Sequence, residues 1–231
     1  MSPSDRTIAI TPAFNEEDSI ETVVTGVRRL GLPSLVIDDG STDGTSVEAR
    51  SAGAIVIRFP INLGVGAALR AGFRYAVAHG FQRVIQIDAD LQHDPSSIPE
   101  LLAVADAGAH LVVGSRFGSD YDAGLRRLGM KLLTWVVKRR TGVTIDDPTS
   151  GFKVVTEPLL SEFARSFPAE YLGDTVEALL HAAAIGARID QVNVNMAART
   201  TGRATPATKA AAHFARVLFV VGAGKPGRPG L

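Results

Sequence analysis

Cysteine is absent from this chain of 231 residues, and its absence excludes disulfide bonds and thiolate metal sites. It also fits a reducing compartment. Neither sign of charge is in surplus, because 24 basic and 24 acidic residues give a formal net charge of zero, so no general binding to nucleic acid is indicated. No apolar run reaches the roughly 18 residues that a membrane-spanning helix needs. Residues 1–6 lack a secretory signal pattern, and we therefore expect a cytoplasmic protein.

Apolar segments rich in β-branched residues alternate with helical patterns along the first half of the chain. Strands are predicted at residues 7–11, 35–37, 54–58, 84–87 and 109–113. Such alternation predicts an α/β fold, with a mostly parallel central sheet flanked by helices. Further on, the sequence predicts a basic amphipathic helix at 126–140, a short strand beginning near 153, a helix at 175–185 and a last strand at 189–195.

The length fits a single large domain, residues 1–221. The remaining residues, 222–231, are rich in glycine and proline, and we expect a disordered tail there. Helix starts are predicted at Asn15, at Asp94-Pro95 and at the glycine pair Gly64-x-Gly66. The glycine pair lacks the third glycine of a Rossmann dinucleotide site and the lysine of a Walker loop.

Three of the predicted strands end in polar loops, at residues 12–16, 38–41 and 88–92. Ligands of open α/β sheets bind outside the carboxyl ends of the strands. We therefore expect these three loops to converge at one edge of the sheet and to form the functional site.

The third loop carries two carboxylates, Asp88 and Asp90, separated by one residue. Where the strand frays, both can reach one hard cation, and Gln92 adds a neutral oxygen. Mg²⁺ and Mn²⁺ prefer oxygen ligands, and Mg²⁺ in particular often shares them with substrate phosphates. The alternative is that the aspartates only end a strand and solvate a loop. His93 follows, either as a contact to metal or phosphate or as a structural residue.

Arginine residues accumulate in the C-terminal half, including Arg116, Arg126, Arg199 and Arg203. A run of charge is in general a solvated face, but the planar guanidinium is also a favoured partner of phosphate. An acidic metal site followed by arginine-rich loops fits a diphosphate leaving group.

Six motifs follow one another along residues 7–203. They are Ile10-Thr11-Pro12-Ala13-Phe14-Asn15-Glu16-Glu17, Val36-Ile37-Asp38-Asp39-Gly40-Ser41-Thr42-Asp43-Gly44-Thr45, Asn62-Leu63-Gly64, Asp88-Ala89-Asp90-Leu91-Gln92-His93-Asp94-Pro95, Gly114-Ser115-Arg116 and Asp147-Pro148-Thr149-Ser150-Gly151-Phe152-Lys153. Together they resemble the inverting family 2 glycosyltransferases of the GT-A fold. More narrowly, they resemble the dolichol-phosphate mannosyltransferase branch, which includes bacterial polyprenyl-phosphate glycosyltransferases.

The resemblance implies a division of the domain and a set of roles. Residues 7–115 would form a nucleotide-sugar-binding half, and residues 116–221 a largely helical acceptor-side half. The donor sugar nucleotide would be held by Pro12, Phe14, Glu16, Asp39, Asp88 and Ala89. The metal, Mg²⁺ or Mn²⁺, would be bound by Asp88, Asp90 and Gln92. Catalysis would depend on Asp90, on Arg116 and Arg126 at the acceptor phosphate, and on Arg199 and Arg203 in a mobile loop over the diphosphate.

The reaction that the resemblance implies is metal-dependent, inverting transfer of a sugar from a GDP- or UDP-linked donor to a polyprenyl phosphate. Two alternatives remain at this point. One is transfer to a hydroxyl of a saccharide or small metabolite, with Asp146 or Asp147 as the base. The other is a non-catalytic sugar-nucleotide-binding module. A lipid acceptor would place the protein at the inner face of the plasma membrane, with a membrane surface or an integral-membrane protein as a further candidate partner.

Overall fold

The computed structural model describes residues 6–116, 125–167 and 176–194, and it describes the backbone alone for residues 116 and 125–129. The strands are β1 (Thr7–Ala13), β2 (Ser34–Asp38), β3 (Ile55–Arg58), β4 (Arg83–Gln86), β5 (Leu111–Arg116), β6 (Lys153–Thr156) and β7 (Ile189–Val194). The helices are α1 (Ile20–Arg29), α2 (Thr45–Ser51), α3 (Val65–Ala78), α4 (Ile98–Asp106), α5 (Leu125–Thr141), α6 (Leu159–Ser166) and α7 (Val176–Ala184).

The described strands form one sheet in the order β3-β2-β1-β4-β6-β5-β7. Strand β6 is antiparallel to both of its neighbours, β4 and β5, and the other pairs are parallel. The prediction of a mostly parallel sheet is therefore confirmed. Because β6 runs against β4 and β5, it begins at the edge of the sheet where those two strands end. The segment before β6 is thereby brought to the carboxyl edge of the parallel strands.

Both faces of the sheet are buried, as expected when helices cover a parallel sheet on two sides. Alternate strand residues enter two separate cores. On one face, sheet residues such as Ile8, Ile10, Val84 and Leu111 pack with Leu69, Phe73, Phe163 and Leu179 from the helices. On the other face, Ala9, Ile85 and Val112 pack with Val23, Val27 and Leu101.

Helix α3 packs closely on the centre of the sheet. Its residues Leu69, Phe73 and Ala76 recur at helical spacing and are fully buried. The ring of Phe73 lies 5.5 Å from that of Phe163 and 5.1 Å from that of Phe167, measured between centroids. This aromatic cluster fixes α6 against α3 and positions the first turn of α3 beside the loops at the end of the strands.

The predicted helix starts have different outcomes. Asp94 caps the 3₁₀ turn Pro95–Ser97 by accepting a hydrogen bond from the backbone N–H of Ser96, and Gly64 directly precedes α3, so both predictions are confirmed. The prediction that Asn15 caps the first helix is wrong, because α1 begins only at Ile20. Asn15 instead takes a left-handed conformation with φ of 56°, and its side chain binds the neighbouring loop.

Several predictions lie outside the described residues. These are Arg199, Arg203, the tail at 222–231 and parts of the predicted acceptor-side half. The division of the domain into residues 7–115 and 116–221 stays a prediction. Within the ranges described, no helix is both long enough and apolar enough to cross a bilayer.

Candidate active site

The loops after β1 and β2 are joined by hydrogen bonds into one unit. The backbone N–H of Asn15 donates to the hydroxyl of Ser41 over 3.0 Å, and that of Glu16 donates to Thr45 Oγ1 over 2.9 Å. In return, Asn15 Oδ1 accepts from the backbone N–H of Thr42 over 2.9 Å. The expected convergence of these two loops at one edge of the sheet is confirmed.

Asp38, the last residue of β2, is fully buried and organises the loop that follows it. Its carboxylate accepts from the backbone N–H of Ser41 and from the hydroxyl of Ser46, and Arg58 Nε lies 3.5 Å away. Burial by itself raises the pKa of this carboxyl. The hydrogen bonds from Ser41 and Ser46 and the charge of Arg58 outweigh burial, so the pKa of Asp38 lies below its ordinary value of 3.8.

Asp39 binds a third loop. Its Oδ1 accepts from the backbone N–H of Leu63 over 2.7 Å, and its Oδ2 accepts from that of Gly64 over 2.8 Å. The family resemblance implies that Asp39 holds the nucleoside, and in the structure its carboxylate also fixes the start of α3. Each carboxylate oxygen has a second lone pair, so the two roles are compatible.

The other residues predicted to hold the donor lie around the same edge. Pro12 pairs with Ile37 near the end of β1, and Phe14 follows with 45% of its surface exposed. The carboxylate of Glu16 accepts from the hydroxyl of Ser19 over 3.0 Å. The structure brings these residues to one edge of the sheet, and it leaves the ring of Phe14 open to solvent.

The loop that carries the two predicted metal ligands adjoins the first two loops. Ala89 is buried in a small cluster with Ala13 and Val36, which sets the segment 88–90 against the ends of β1 and β2. The side chain of Asp88 is 35% exposed, whereas Asp90 is only 7% exposed. Asp90 Oδ1 accepts from the backbone N–H of Gln92 over 3.1 Å, which makes a tight turn.

Backbone strain in the described residues is concentrated at this edge. Two non-glycine residues have positive φ, Asn15 at 56° and Leu91 at 61°. Asparagine tolerates this conformation, but for leucine it costs of order 1–3 kcal/mol. The surrounding packing therefore holds the loops after β1 and β4 in fixed shapes, as is typical of binding sites.

The oxygen-bearing side chains at the end of β4 fit a divalent cation that takes its remaining ligands from a bound substrate. Within the described residues, no group of three or more histidine, aspartate or glutamate side chains could hold a metal by itself. Asp88 and Asp90 supply two carboxylates, and the half-buried Gln92 supplies an amide. Mg²⁺ is characteristically bound by one or two carboxylates plus substrate phosphates.

Asp88 is enclosed by Gly151, to which the sequence assigned no role of its own, and by His93, for which a contact to metal or phosphate and a structural role were both left open. A Cβ atom on Gly151 would lie only 2.1 Å from Asp88 Oδ2, so the carboxylate occupies the space that any other residue at 151 would fill. On another side, Nδ1 of the buried His93 lies 3.8 Å from the same oxygen. Gly151 reaches this position because it precedes the antiparallel strand β6.

The acceptor side is described in part. Arg116 ends β5 and Arg126 lies in the first turns of α5, but their side chains, like residues 199 and 203, lie outside what the structure describes. Gln191 of β7 links the neighbouring elements. Its Oε1 accepts from the hydroxyl of Ser115 and from the backbone N–H of Asp146, and its Nε2 donates to Asp146 Oδ2.

Residues 8–162 match the protein family described as Glycosyl transferase family 2. The chain belongs to this family. The predicted class of enzyme, a glycosyltransferase, is thereby confirmed.

The relatives of this chain include proteins that are named for polyprenol or for undecaprenyl phosphate. The polyprenol monophosphomannose synthase of Mycolicibacterium smegmatis is 32% identical over 172 residues, which cover 69% of this chain and 65% of that protein, less than two thirds of its length. The undecaprenyl-phosphate mannosyltransferase of Micrococcus luteus is 28% identical over 219 residues, which cover 85% of this chain and 86% of that protein.

The solved structures of glucosyl-3-phosphoglycerate synthase from Mycobacterium tuberculosis share the fold. The complex with Mg²⁺ and UDP has a TM-score of 0.75 and 26% identity, over 97% of this chain and 80% of that one. The complex with Mn²⁺, UDP-glucose and phosphoglyceric acid has a TM-score of 0.73 and 27% identity, over 96% and 81%. The predicted GT-A type of α/β fold is confirmed by this likeness.

The first prediction from this site concerns the acid stability of this glycosyltransferase. A group whose pKa is lowered on folding stabilises the protein above its unfolded pKa, and that contribution is lost as the pH falls through the folded pKa. Asp38→Asn should therefore cost about 1–3 kcal/mol near neutral pH. The difference from wild type should shrink as the pH falls below 3.8. Urea unfolding across this pH range measures the free energy of unfolding of both proteins, with the exposed Asp18→Asn as control. If the free energies of wild type and Asp38→Asn change in parallel with pH, the prediction is wrong.

The second prediction concerns Gly151→Ala. The added methyl group meets only the end of the Asp88 side chain, which can rotate, so the fold should survive. The affinity for Mn²⁺ in the presence of a nucleoside diphosphate should fall by roughly tenfold or more. In an Asp88→Ala background the same change should have no further effect, because the two residues act as a unit. Additive losses in this double-mutant cycle would show that Gly151 acts elsewhere.

Proposed function

We propose that this chain is a metal-dependent, inverting glycosyltransferase that transfers a sugar from a nucleoside diphosphate donor to a polyprenyl phosphate. The observation that carries the proposal is the pair of carboxylates after β4, set beside the loops after β1 and β2 and without a third acidic ligand in the described ranges. Such a pair is completed by the oxygens of a bound diphosphate. The metal-containing complexes of the M. tuberculosis synthase support this reading.

The donor nucleoside would lie against the unit formed by the first two loops. Phe14 offers an exposed ring for stacking on the base. Asp39 offers acceptor capacity for an N–H of the base, since each of its oxygens accepts one backbone hydrogen bond from the described residues. Pro12 and Glu16 complete this part of the site. Both uracil and guanine carry an N–H that a carboxylate can bind, so this geometry admits UDP- and GDP-linked donors.

The transfer itself would be a displacement at the anomeric carbon. The acceptor oxygen attacks from the face opposite the leaving group, the bond to the nucleoside diphosphate breaks, and the configuration inverts. A cation held by Asp88, Asp90 and Gln92 would neutralise the charge that develops on the diphosphate. Arg199 and Arg203 would donate hydrogen bonds to the same group.

The acceptor is proposed to be a phosphate because a phosphate needs no strong general base, whereas a hydroxyl would need Asp146 or Asp147, each of which already accepts hydrogen bonds through one oxygen. Asp147 Oδ1 accepts from both the backbone N–H and the hydroxyl of Thr149, at 3.0 and 2.6 Å, and Asp146 Oδ2 accepts from Gln191. A phosphate monoester has a second pKa of about 6, so at neutral pH it is already an anion and needs no strong base. Arg116 and Arg126 are the predicted partners of that phosphate.

A membrane surface as partner is supported by the outer side of α5. Trp135 is 59% exposed and lies one turn after the exposed Leu132. Lys131, Lys138 and Arg139 are exposed on the same helix. A helix with exposed aromatic and basic side chains can lie in the interface of an anionic membrane, where a polyprenyl phosphate presents its headgroup.

The third prediction tests the metal. Asp90→Asn keeps the oxygen that accepts from the N–H of Gln92 but removes the charge, so the loop should stay folded. The rate of sugar transfer, measured as release of the nucleoside diphosphate, should fall by roughly 100-fold or more. Wild-type activity should be lost in EDTA and restored by Mg²⁺ or Mn²⁺. Asp94→Asn in the neighbouring cap is the control, and full activity in EDTA would refute the metal.

The fourth prediction tests the acceptor. Arg126→Ala should lose most transfer to a short-chain polyprenyl phosphate, while hydrolysis of the donor by water persists. Arg29→Ala, which changes an exposed arginine in the last turn of α1, should retain transfer. The hydroxyl alternative wins if no polyprenyl phosphate is glycosylated with any donor and Asp147→Asn abolishes transfer to a hydroxyl acceptor.

A further inference from the structure

His93 lies beside the metal-binding loop but belongs to no role assigned so far. Its side chain is only 3% exposed. Its ring is stacked on that of Phe152, with centroids 5.1 Å apart and an interplanar angle of 21°. Phe152 is itself fully buried. The stacking fixes the plane of the imidazole, and in this plane Nδ1 faces the carboxylate of Asp88.

The Nδ1 atom is buried and has no hydrogen-bond partner among the residues that the structure describes. Buried polar atoms are nearly always hydrogen-bonded, so an exception calls for an explanation. Asp88 Oδ2 lies 3.8 Å away, beyond the usual range of an N–H···O bond. A movement of roughly 0.9 Å would bring the two atoms to about 2.9 Å, the commonest distance for such a bond.

The same oxygen, Asp88 Oδ2, also fills the space beside Gly151. His93 and Gly151 therefore restrict one carboxylate from two directions. Metal-binding carboxylates are commonly held by a hydrogen bond from a neighbouring group, and catalytic hydrogen bonds are often long until the ligand is bound. An imidazole that carries a proton on Nδ1 supplies the donor.

We infer that His93 is a positioning residue: its Nδ1–H donates to Asp88 Oδ2 and holds that carboxylate in the orientation that binds the metal. This inference rests on the proposed metal-dependent function, and it adds to it a residue that acts through Asp88 and does not touch the metal. A histidine that only filled the core would leave the metal affinity unchanged when its ring was replaced by another aromatic ring.

The experiment compares His93→Phe, which keeps an aromatic ring on Phe152 and removes the donor, with wild type. Free Mn²⁺ is counted by electron paramagnetic resonance during titration of the full chain in saturating UDP and, separately, GDP. We expect the dissociation constant of Mn²⁺ to rise 10- to 100-fold in His93→Phe. His79→Phe is the matched control, because His79 also stacks on an aromatic ring, Tyr75, but lies at the exposed end of α3. It should bind Mn²⁺ as wild type does.

A second pair of variants covers the case in which His93→Phe does not fold. His93→Asn places an amide N–H close to the position of Nδ1, whereas His93→Leu has a similar shape and no donor. Tighter Mn²⁺ binding by His93→Asn than by His93→Leu supports the inference, and equal affinities of the two variants overturn it. Spin-echo spectra of the wild-type complex that show ¹⁴N coupling from a directly bound imidazole would also overturn it.

The outcomes separate this inference from the function on which it rests. If wild type binds no Mn²⁺ with either nucleotide, the metal-dependent function fails, and the role of His93 fails with it. If wild type binds Mn²⁺ and His93→Phe binds it equally well, the role of His93 alone is wrong. At saturating Mn²⁺, kcat of His93→Phe should recover towards the wild-type value, because the substitution weakens binding of the metal and removes no reacting group.

Discussion

Two adjacent carboxylates at the end of β2 bind loop backbone and fix the loops that are proposed to hold the donor. Asp38 fixes its own loop through Ser41 and Ser46, and Asp39 fixes the start of α3 through the N–H groups of Leu63 and Gly64. Charged acceptors bound to backbone donors are among the stronger hydrogen bonds in proteins. They are satisfied without any ligand, so this side of the site is formed before the donor arrives, and little ordering is left for binding.

The segment that is proposed to belong to the acceptor side is brought to the same edge by one reversal of strand direction. Strand β6 lies between β4 and β5 and runs against both, so the segment that precedes it ends beside Asp88. A further parallel strand in this position would have entered the sheet from the opposite edge. The close contact of Gly151 with Asp88 is thus a consequence of topology, and it brings the loop at residues 146–152 against the proposed metal-binding pair.

Much of this architecture could be predicted from sequence, because its signals are local. Buried strands followed by polar loops show as apolar runs with abrupt ends, and the first five strands were predicted close to their observed bounds. The polar loops at the ends of the predicted strands also predicted which loops meet. The position of β6, the contact of Gly151 with Asp88 and the aim of His93 depend on contacts between distant segments, which periodicity does not report. Asn15 was assigned to a cap because its side chain suits one, whereas a neighbouring loop captures it.

The small number of proposed metal ligands at the end of β4 would make binding of the metal depend on binding of the donor. Two carboxylates and an amide leave much of a cation's coordination to other oxygens. On the proposed function those oxygens belong to the donor diphosphate, so metal and donor each raise the affinity for the other by the same factor. The positive charge that stabilises the departing diphosphate is then in place only when the sugar nucleotide is bound. A rigid donor side and a precisely held Asp88 serve this coupling, because a carboxylate free to rotate would weaken both affinities together.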